Sequence, residues 1–231
     1  MNSKLKKLYF YIFPRKCISC GEVVPMEQYY CDECRDKMPY IKGKRCAFCG
    51  EGKDSCSCKK HKHRYERIVA PFYYDSGAKN ALLKLKRYPV YAKGIGEECF
   101  KVIEECYSDI NFDIVTAVPL SKSRKRAGGF NHSEKLAREI ASHLGVEYED
   151  LLCVLYNPKS QHELKNDYRA GNVRGIYDKI KGKSVDGKTV LLVDDVKTSG
   201  ATLDECALML KLYGAEAVYS LAGAIAKGKE L

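Results

Sequence analysis

The sequence predicts an α/β protein in which a mainly parallel sheet is flanked by helices and preceded by a small cysteine-rich module. Apolar segments of strand length alternate with segments of helical periodicity from Tyr65 onward. Residues 190–193 form an uninterrupted apolar run, as expected for a buried parallel strand. Eight of the twelve cysteines lie between Cys17 and Cys58. We therefore expect two domains, residues 1–64 and residues 65–231.

The cysteine-rich module has the spacing of zinc knuckles, in which closely paired cysteines converge on a tetrahedral metal ion. Sequential use of the pairs is the expected arrangement, and an interleaved cross-brace is the alternative. The last pair is one residue shorter than the others, so His61 or His63 could replace or supplement a ligand. The candidate zinc ligands are Cys17 and Cys20, Cys31 and Cys34, Cys46 and Cys49, and Cys56 and Cys58.

These cysteines are expected to have a structural role, because four sulfur ligands leave no coordination position for a substrate. A module of this size buries little apolar surface, and metal binding commonly supplies the missing stability. The pattern also suits a reducing compartment, where paired cysteines bind metal rather than form disulfides. No apolar run reaches the length of a membrane span, and we expect a cytoplasmic protein.

The remaining elements follow in chain order. Residues 1–13 could form a short amphipathic helix that docks on the ribbon. In the larger domain, strands are expected at residues 68–74, 113–119, 151–155, 190–194 and 218–225, and helices at residues 78–86, 96–107 and 133–144. In such alternating folds, ligands bind beyond the carboxyl ends of the parallel strands.

The strand at residues 190–194 leads into the most informative segment of the chain. Two consecutive carboxylates, Asp194 and Asp195, end the strand, and a small-residue loop then enters a segment of helical periodicity. Backbone N–H groups and the helix dipole at such a junction favour an anion. The carboxylates would repel a phosphate, so hydroxyl groups or a metal ion suit them better. The candidate phosphate-binding residues are Thr198, Ser199, Gly200, Ala201 and Thr202.

Residues 182–189 formally satisfy the Walker A pattern. A P-loop follows a strand and precedes a helix, whereas here an apolar strand comes directly after the motif. We interpret this segment as a solvated loop.

Basic segments are expected near the same edge of the sheet. Residues 121–132 form a basic, glycine-containing loop after a predicted strand, and it could fold over a pyrophosphate or simply remain solvated. Arg169 and Asn172 follow another polar segment. The formal net charge of +10 includes clusters such as Lys59, Lys60 and Lys62, which favour polyanions.

Residues 190–202 resemble the 5-phosphoribosyl 1-pyrophosphate (PRPP) signature of type I phosphoribosyltransferases, except that Lys197 replaces an aliphatic or small residue. This lysine either turns to solvent or adds a cation near the phosphates. Together with the zinc pairs, further motifs make nearly the whole chain similar to the ComF family of competence proteins, ComFC-like and GntX-like. Gly128 and His132 depart from the usual Arg and Gln. The further motifs are Tyr74-Asp75, Leu85-Lys86-Arg87-Tyr88, Val118-Pro119-Leu120, Gly129-Phe130-Asn131 and Arg169-x2-Asn172-Val173.

This resemblance implies a PRPP-binding protein that acts with Mg²⁺ and supports DNA uptake. Asp194 and Asp195 would bind the ribose hydroxyls, residues 198–202 would hold the 5-phosphate, and Lys84, Lys86, Arg124 or Arg126 would neutralise the pyrophosphate. The first hypothesis is a phosphoribosyltransferase or PRPP-binding relative whose acceptor the sequence does not identify. The second is a non-catalytic adaptor that binds single-stranded DNA through the ribbon, with PRPP as a regulatory or vestigial ligand.

Overall fold

The computed structural model describes residues 10–56, 58, 63–120, 128–155 and 176–227. A six-stranded, wholly parallel sheet forms its centre, in the order β1-β8-β7-β3-β4, with β2 also paired to β8. A separate antiparallel ribbon joins β5 to β6. The strands are β1 (Ile68–Val69), β2 (Phe72–Tyr73), β3 (Ile114–Ala117), β4 (Glu147–Tyr148), β5 (Leu152–Val154), β6 (Tyr177–Lys179), β7 (Thr189–Lys197) and β8 (Ala217–Ile225).

Helices cover both faces of the sheet, so that the predicted α/β architecture is confirmed. Alternate residues of β7 divide the core: Leu191 and Val193 pack in the cluster that includes the helices Ala92–Cys106 and His132–Leu144, whereas Val190 and Leu192 pack in the cluster that includes the helix Ala201–Leu212. No helix in the described part of the chain is long and apolar enough to cross a membrane. The helices are α1 (Asp32–Asp36), α2 (Ser76–Leu85), α3 (Ala92–Cys106), α4 (His132–Leu144) and α5 (Ala201–Leu212).

Two predicted strands differ from the observed ones. The strand expected at residues 68–74 is split into β1 and β2 at Pro71, whose carbonyl accepts a hydrogen bond from the amide of Ile41 in the cysteine module. The strand expected at residues 151–155 is β5, which pairs with the unpredicted β6 instead of joining the main sheet. The Walker-like segment forms turns that lead into β7, with no helix after it.

The cysteine module packs directly on the larger domain. A Cβ atom added to Gly94 of α3 would lie 2.6 Å from Tyr29 Cβ, and one added to Gly50 would lie 2.4 Å from Ile225 Cδ1 at the end of β8. Gly77 of α2 approaches Ser19 in the same way. Of the predicted N-terminal helix, residues 10–12 are helical and residues 1–9 lie outside the described part.

Candidate functional site

Two sets of four cysteines gather in the module, and their pairing is sequential rather than interleaved. Within each set, the ligand atoms all lie within 4.8 Å of one another. Sulfur atoms that share a tetrahedral zinc ion are about 3.8 Å apart, given a Zn–S bond of about 2.3 Å. The separations of 3.7 Å between Cys20 and Cys31 Sγ and 3.6 Å between Cys46 and Cys58 Sγ fit this geometry. Each set is consistent with one structural zinc ion.

Residues 17–34 form the first knuckle and residues 46–58 form the second, and the two repeat the same backbone pattern. The amide of Gly21 donates to the Cys17 carbonyl, and that of Gly50 donates to the Cys46 carbonyl. Both glycines have a positive φ, 97° and 79°, which a residue with a side chain adopts only at a cost. The tight turn that brings the first two sulfurs of each set together therefore depends on glycine.

Among the described residues, the alternative of His63 as a ligand in the second set is not adopted. His63 stacks on Tyr65, with ring centroids 4.7 Å apart, and its Nδ1 lies 3.5 Å from Asp204 Oδ1 on α5. His61 lies outside the described residues. The short Cys56-x-Cys58 pair supplies both remaining sulfur ligands itself.

The acidic pair lies at the carboxyl end of β7, as expected, but its two side chains differ in environment. Asp194 is only 9% exposed, and its Oδ1 accepts hydrogen bonds from Ser133 Oγ at 2.8 Å and from the Asp195 amide at 2.8 Å. Asp195 keeps 17% of its side chain exposed. Asp195 is therefore the more accessible carboxylate, whereas Asp194 is buried and held by hydrogen bonds.

Burial raises the pKa of Asp194 to about 7, and the neighbouring charge of Asp195 acts in the same direction. The hydrogen bonds from Ser133 and from the Asp195 amide oppose this rise because they stabilise the ionised form. Near neutral pH, the pair therefore carries less than two full negative charges. That reduces its repulsion of an anionic ligand.

The two predicted lysines of α2 have different positions. Lys86 lies at the site, with its Nζ 3.4 Å from Asp195 Oδ2. Lys84 does not, because its Nζ donates to the carbonyls of Cys17 at 3.2 Å and Ser19 at 3.0 Å. The prediction that Lys84 contacts pyrophosphate is therefore corrected: this lysine holds the first knuckle against α2.

The loop after β7 forms the expected junction with a helix. Gly200, at φ 85°, is the N-terminal cap of α5, and the first turn of that helix begins at Ala201. Thr198 and Ser199 complete the loop, with the Ser199 hydroxyl 3.4 Å from the Ala201 amide, and Thr202 lies in the first turn of α5. Backbone N–H groups at a helix start of this kind can bind a phosphate.

Lys197 does not turn to solvent, since it is buried at 6% exposure. Its side chain lies under the loop, and a Cβ atom added to Gly200 would be 3.1 Å from Lys197 Cε and 3.5 Å from the Tyr65 hydroxyl. That hydroxyl donates to the carbonyl of Phe48 in the second knuckle at 2.9 Å. The loop therefore rests on a lysine and on a tyrosine fixed by the zinc module.

The β5–β6 ribbon borders the loop on the α5 side. Tyr177 of β6 lies close to the side chain of Thr202. The Ile176 amide donates to Glu205 Oε1 at 3.2 Å, and Asp178 accepts a hydrogen bond from Tyr213. The ribbon is thus fixed to the helix whose first turn borders the candidate phosphate site.

The basic loop expected to cover the site has its base beside β7. Asn131 Nδ2 donates to the Val118 carbonyl at 2.9 Å, so the two ends of the loop come together, and the Val118 amide donates to the Val193 carbonyl. Arg124 and Arg126 lie outside the described residues, as do Arg169 and Asn172.

Sequence reasoning missed three residues of the site: Ser133, Tyr65 and Tyr177. Ser133 stands where a helix start was expected, which favours an interpretation as a cap, yet its hydroxyl binds Asp194. Tyr65 and Tyr177 had no local signal, because their partners Phe48 and Thr202 are distant in sequence.

Comparisons with known proteins match both parts of the chain. A double zinc ribbon domain matches residues 8–64, and a phosphoribosyl transferase domain matches residues 129–229. Competence protein ComFC of Bacillus subtilis is 26% identical over 77% of this chain and 75% of its own. DNA utilization protein YhgH of Salmonella typhi is 31% identical, but the match spans only 46% of either chain.

Among solved structures, an adenine phosphoribosyltransferase is similar, with 16% identity over 61% of this chain and 74% of its own and a TM-score of 0.39. The zinc ribbon and the transferase domain occur here in one chain, and the match to ComFC extends over most of its length. The chain is therefore ComFC-like: it combines a double zinc ribbon domain with a phosphoribosyl transferase domain, and it is similar to ComFC over most of its length.

Proposed function

We propose that this protein binds PRPP at the end of β7 and transfers or senses its phosphoribosyl group in support of DNA uptake. The observation that carries the proposal is the junction itself: Asp195 stays accessible beside Lys86, and the helix start capped by Gly200 follows five residues later in the chain. Hydroxyl-binding carboxylates and an anion-binding helix start are thus adjacent. The four-cysteine sets require reduced thiols, which suits a cytoplasmic location.

In this proposal, the residues divide the ligand among themselves. Asp195 accepts hydrogen bonds from the ribose hydroxyls, while Asp194 is held by Ser133 and fixes the backbone before the loop. Residues 198–202 hold the 5-phosphate through backbone N–H groups. Lys86 pairs with Asp195 in the free protein, and it can turn its charge to the pyrophosphate when the ribose takes over that carboxylate.

Magnesium enters as part of the substrate, Mg–PRPP. Mg²⁺ in proteins often keeps several waters and binds substrate phosphates through few protein ligands. Among the described residues, only the two cysteine sets form groups of metal-binding side chains. Displacement of pyrophosphate at the anomeric carbon builds positive charge on the ribose, so catalysis needs positioning and charge neutralisation more than a protein nucleophile.

Calorimetry with Mg–PRPP tests the binding proposal. Wild-type protein should bind PRPP, and Asp195→Asn should lose affinity about tenfold or more, because a charged acceptor of hydroxyl hydrogen bonds becomes a neutral amide. Asp113→Asn is the matched control: Asp113 Oδ2 accepts from the Thr189 amide at the opposite end of β7. Equal affinity in the Asp195 and Asp113 variants would refute the site. Mass spectrometry of a nucleobase and metabolite panel incubated with PRPP would then identify an acceptor.

A second function, the binding of single-stranded DNA by the cysteine module, has its own supporting observation. A cleft of about 830 Å³ is lined by residues of the second knuckle and of β1 at the sheet edge, and its lining includes Lys44, Lys53, Arg67 and the partly exposed ring of Phe48. Cations beside an exposed aromatic ring suit a phosphate backbone with stacked bases. The predicted contacts Lys59, Lys60 and Lys62 lie outside the described residues.

Fluorescence anisotropy with labelled single strands tests this second function. Binding should weaken steeply with salt, and Lys44→Glu/Lys53→Glu should reduce both the affinity and the salt dependence. Lys59→Glu/Lys60→Glu/Lys62→Glu tests the neighbouring basic segment. Lys181→Glu/Lys188→Glu, outside the cleft lining, is the control that matches the charge change of the double variant. Binding that is absent, or that does not respond to salt, would reject the adaptor hypothesis.

A further inference from the structure

Lys197 combines deep burial with poor pairing. It is 6% exposed, and its Nζ has a single described hydrogen bond, to the Thr198 carbonyl at 3.5 Å. That distance is long for a hydrogen bond, and an ammonium group has three donors. None of the ion pairs found within the described ranges includes Lys197. A buried charge without a counter-charge is costly to the folded protein.

The position of this charge indicates what could balance it. Lys197 Cε lies close under Gly200, the residue that caps the start of α5. The loop therefore has a buried cation beneath it and helix N–H groups at its end. Both favour an anion, and the two features arise independently, one from a side chain and the other from backbone geometry.

Lys84 shows what a satisfied lysine looks like in the same protein. Its Nζ donates to two carbonyls, at 3.0 and 3.2 Å, and joins α2 to the first knuckle. Lys197 has only the one long bond. The contrast suggests that Lys84 serves stability in the free protein, whereas Lys197 reaches a balanced state only with a ligand on the loop.

We infer that Lys197 is the cationic base of an anion site on residues 198–202 and that it gives this site a preference for the doubly charged phosphate group. The inference rests on the proposed function in that the ligand is the terminal phosphate of a phosphorylated sugar. It adds a residue and a charge preference that the loop alone does not provide. It also predicts effects of opposite sign on stability and on binding when the charge is removed.

Thermal unfolding and phosphate titration of Lys197→Met test both effects. In phosphate-free buffer, the variant should melt about 2–6 °C above the wild type, because an unbalanced buried charge has been removed. Its affinity for inorganic phosphate at pH 8, and for ribose 5-phosphate, should fall at least about tenfold. Lys84→Met, the matched control, should melt below the wild type and keep its phosphate affinity.

The two halves of the test have distinct opposite outcomes. A Lys197→Met variant that melts lower, or that binds phosphate as the wild type does, would show that the lysine only supports the loop. Lys197→Gln is the second variant, and failure of both to fold would also overturn the inference, as would wild-type protein that binds no phosphate. Phosphate binding that depends on Lys197 without PRPP binding would uphold the inference while refuting the proposed function. Equal affinity for PRPP in the wild type and in Lys197→Met would refute the inference and leave the proposed function standing.

Discussion

At the scale of single residues, Asp194 controls the electrostatics of the site. Its carboxyl is enclosed between Ser133 and the Asp195 backbone, and burial raises its pKa to about 7. An unfolded aspartate has a pKa near 3.9. The folded protein therefore binds a proton at Asp194 that the unfolded chain releases between these two values.

The sign of the resulting pH dependence follows from linkage. Because the folded pKa is raised, the stabilising contribution of protonated Asp194 is complete below about pH 4 and is lost as the pH rises through about 7. We expect the free energy of unfolding of the wild type, relative to Asp194→Asn, to decrease between pH 4 and 7 and to level off above. Urea denaturation of both proteins across this range measures it.

The Asn variant keeps an oxygen that can accept the hydrogen bonds from Ser133 and the Asp195 amide, so the comparison isolates the charge. A difference between wild type and variant that does not change with pH would mean that Asp194 titrates normally. If the free energy of unfolding of the wild type instead rose with pH relative to Asp194→Asn, the folded pKa of Asp194 would be lowered.

The sequence indicated which residues lie near the candidate site better than it indicated their contacts. The acidic pair and the small-residue loop were evident because they are contiguous in sequence. The orientation of Lys197 and the partner of Ser133 were not, since both depend on which tertiary neighbours surround the side chain. Lys84 and Lys86, two residues apart, illustrate this: one reaches the first knuckle and the other reaches Asp195.

At the scale of elements, strong apolar patterns gave reliable predictions and short polar strands did not. The buried β7 and β8 were predicted to within a few residues at each end. By contrast, β6 has the sequence Tyr-Asp-Lys, all half-buried, and it is held by pairing with β5 and by contacts to α5. No periodicity in three such residues distinguishes a strand from a loop.

The contact between α3 and the first zinc set offers an element-scale prediction. A methyl group at Gly94 would lie 2.6 to 2.9 Å from Tyr29 atoms, so Gly94→Ala should destabilise the protein by about 1–3 kcal/mol, despite the higher helix propensity of alanine. Chemical denaturation of Gly94→Ala, Tyr29→Ala and the double variant measures the coupling. The double variant should recover part of the loss.

Tyr29 also stacks against Arg15, whose guanidinium carbon lies 4.3 Å from the ring centroid, so Tyr29→Ala alone has a cost that the double-mutant cycle subtracts. Purely additive effects of the two substitutions on the free energy of unfolding would mean that residue 94 and Tyr29 are not in tight contact. A stabilised Gly94→Ala variant would mean the same.

At the scale of the whole molecule, hydrogen bonds from the zinc module fix residues of the transferase domain. The second knuckle holds Tyr65 through the Phe48 carbonyl and receives the Ile68 amide of β1 at the Ala47 carbonyl. Arg64, which leads out of the module, donates from its amide to Asp204 in the first turn of α5. The first knuckle holds Lys84 on the same helix that ends next to Lys86. The sequence motif of either domain alone does not predict these contacts between the two domains.

Loss of zinc should therefore weaken a ligand site that contains no zinc ligand. We expect two zinc ions per chain by elemental analysis, and lower affinity for PRPP after chelation, because the Phe48 carbonyl that positions Tyr65 loses its fixed geometry. Cys58→Ser should weaken PRPP binding more than Cys20→Ser, because the second knuckle holds Tyr65, whose hydroxyl lies close to Gly200. Tyr65→Phe, which keeps the ring but removes the bond to Phe48, should reproduce part of the Cys58→Ser loss with both zinc ions retained. If chelated protein that is still folded bound PRPP with unchanged affinity in calorimetry, the zinc module and the loop at residues 198–202 would be independent.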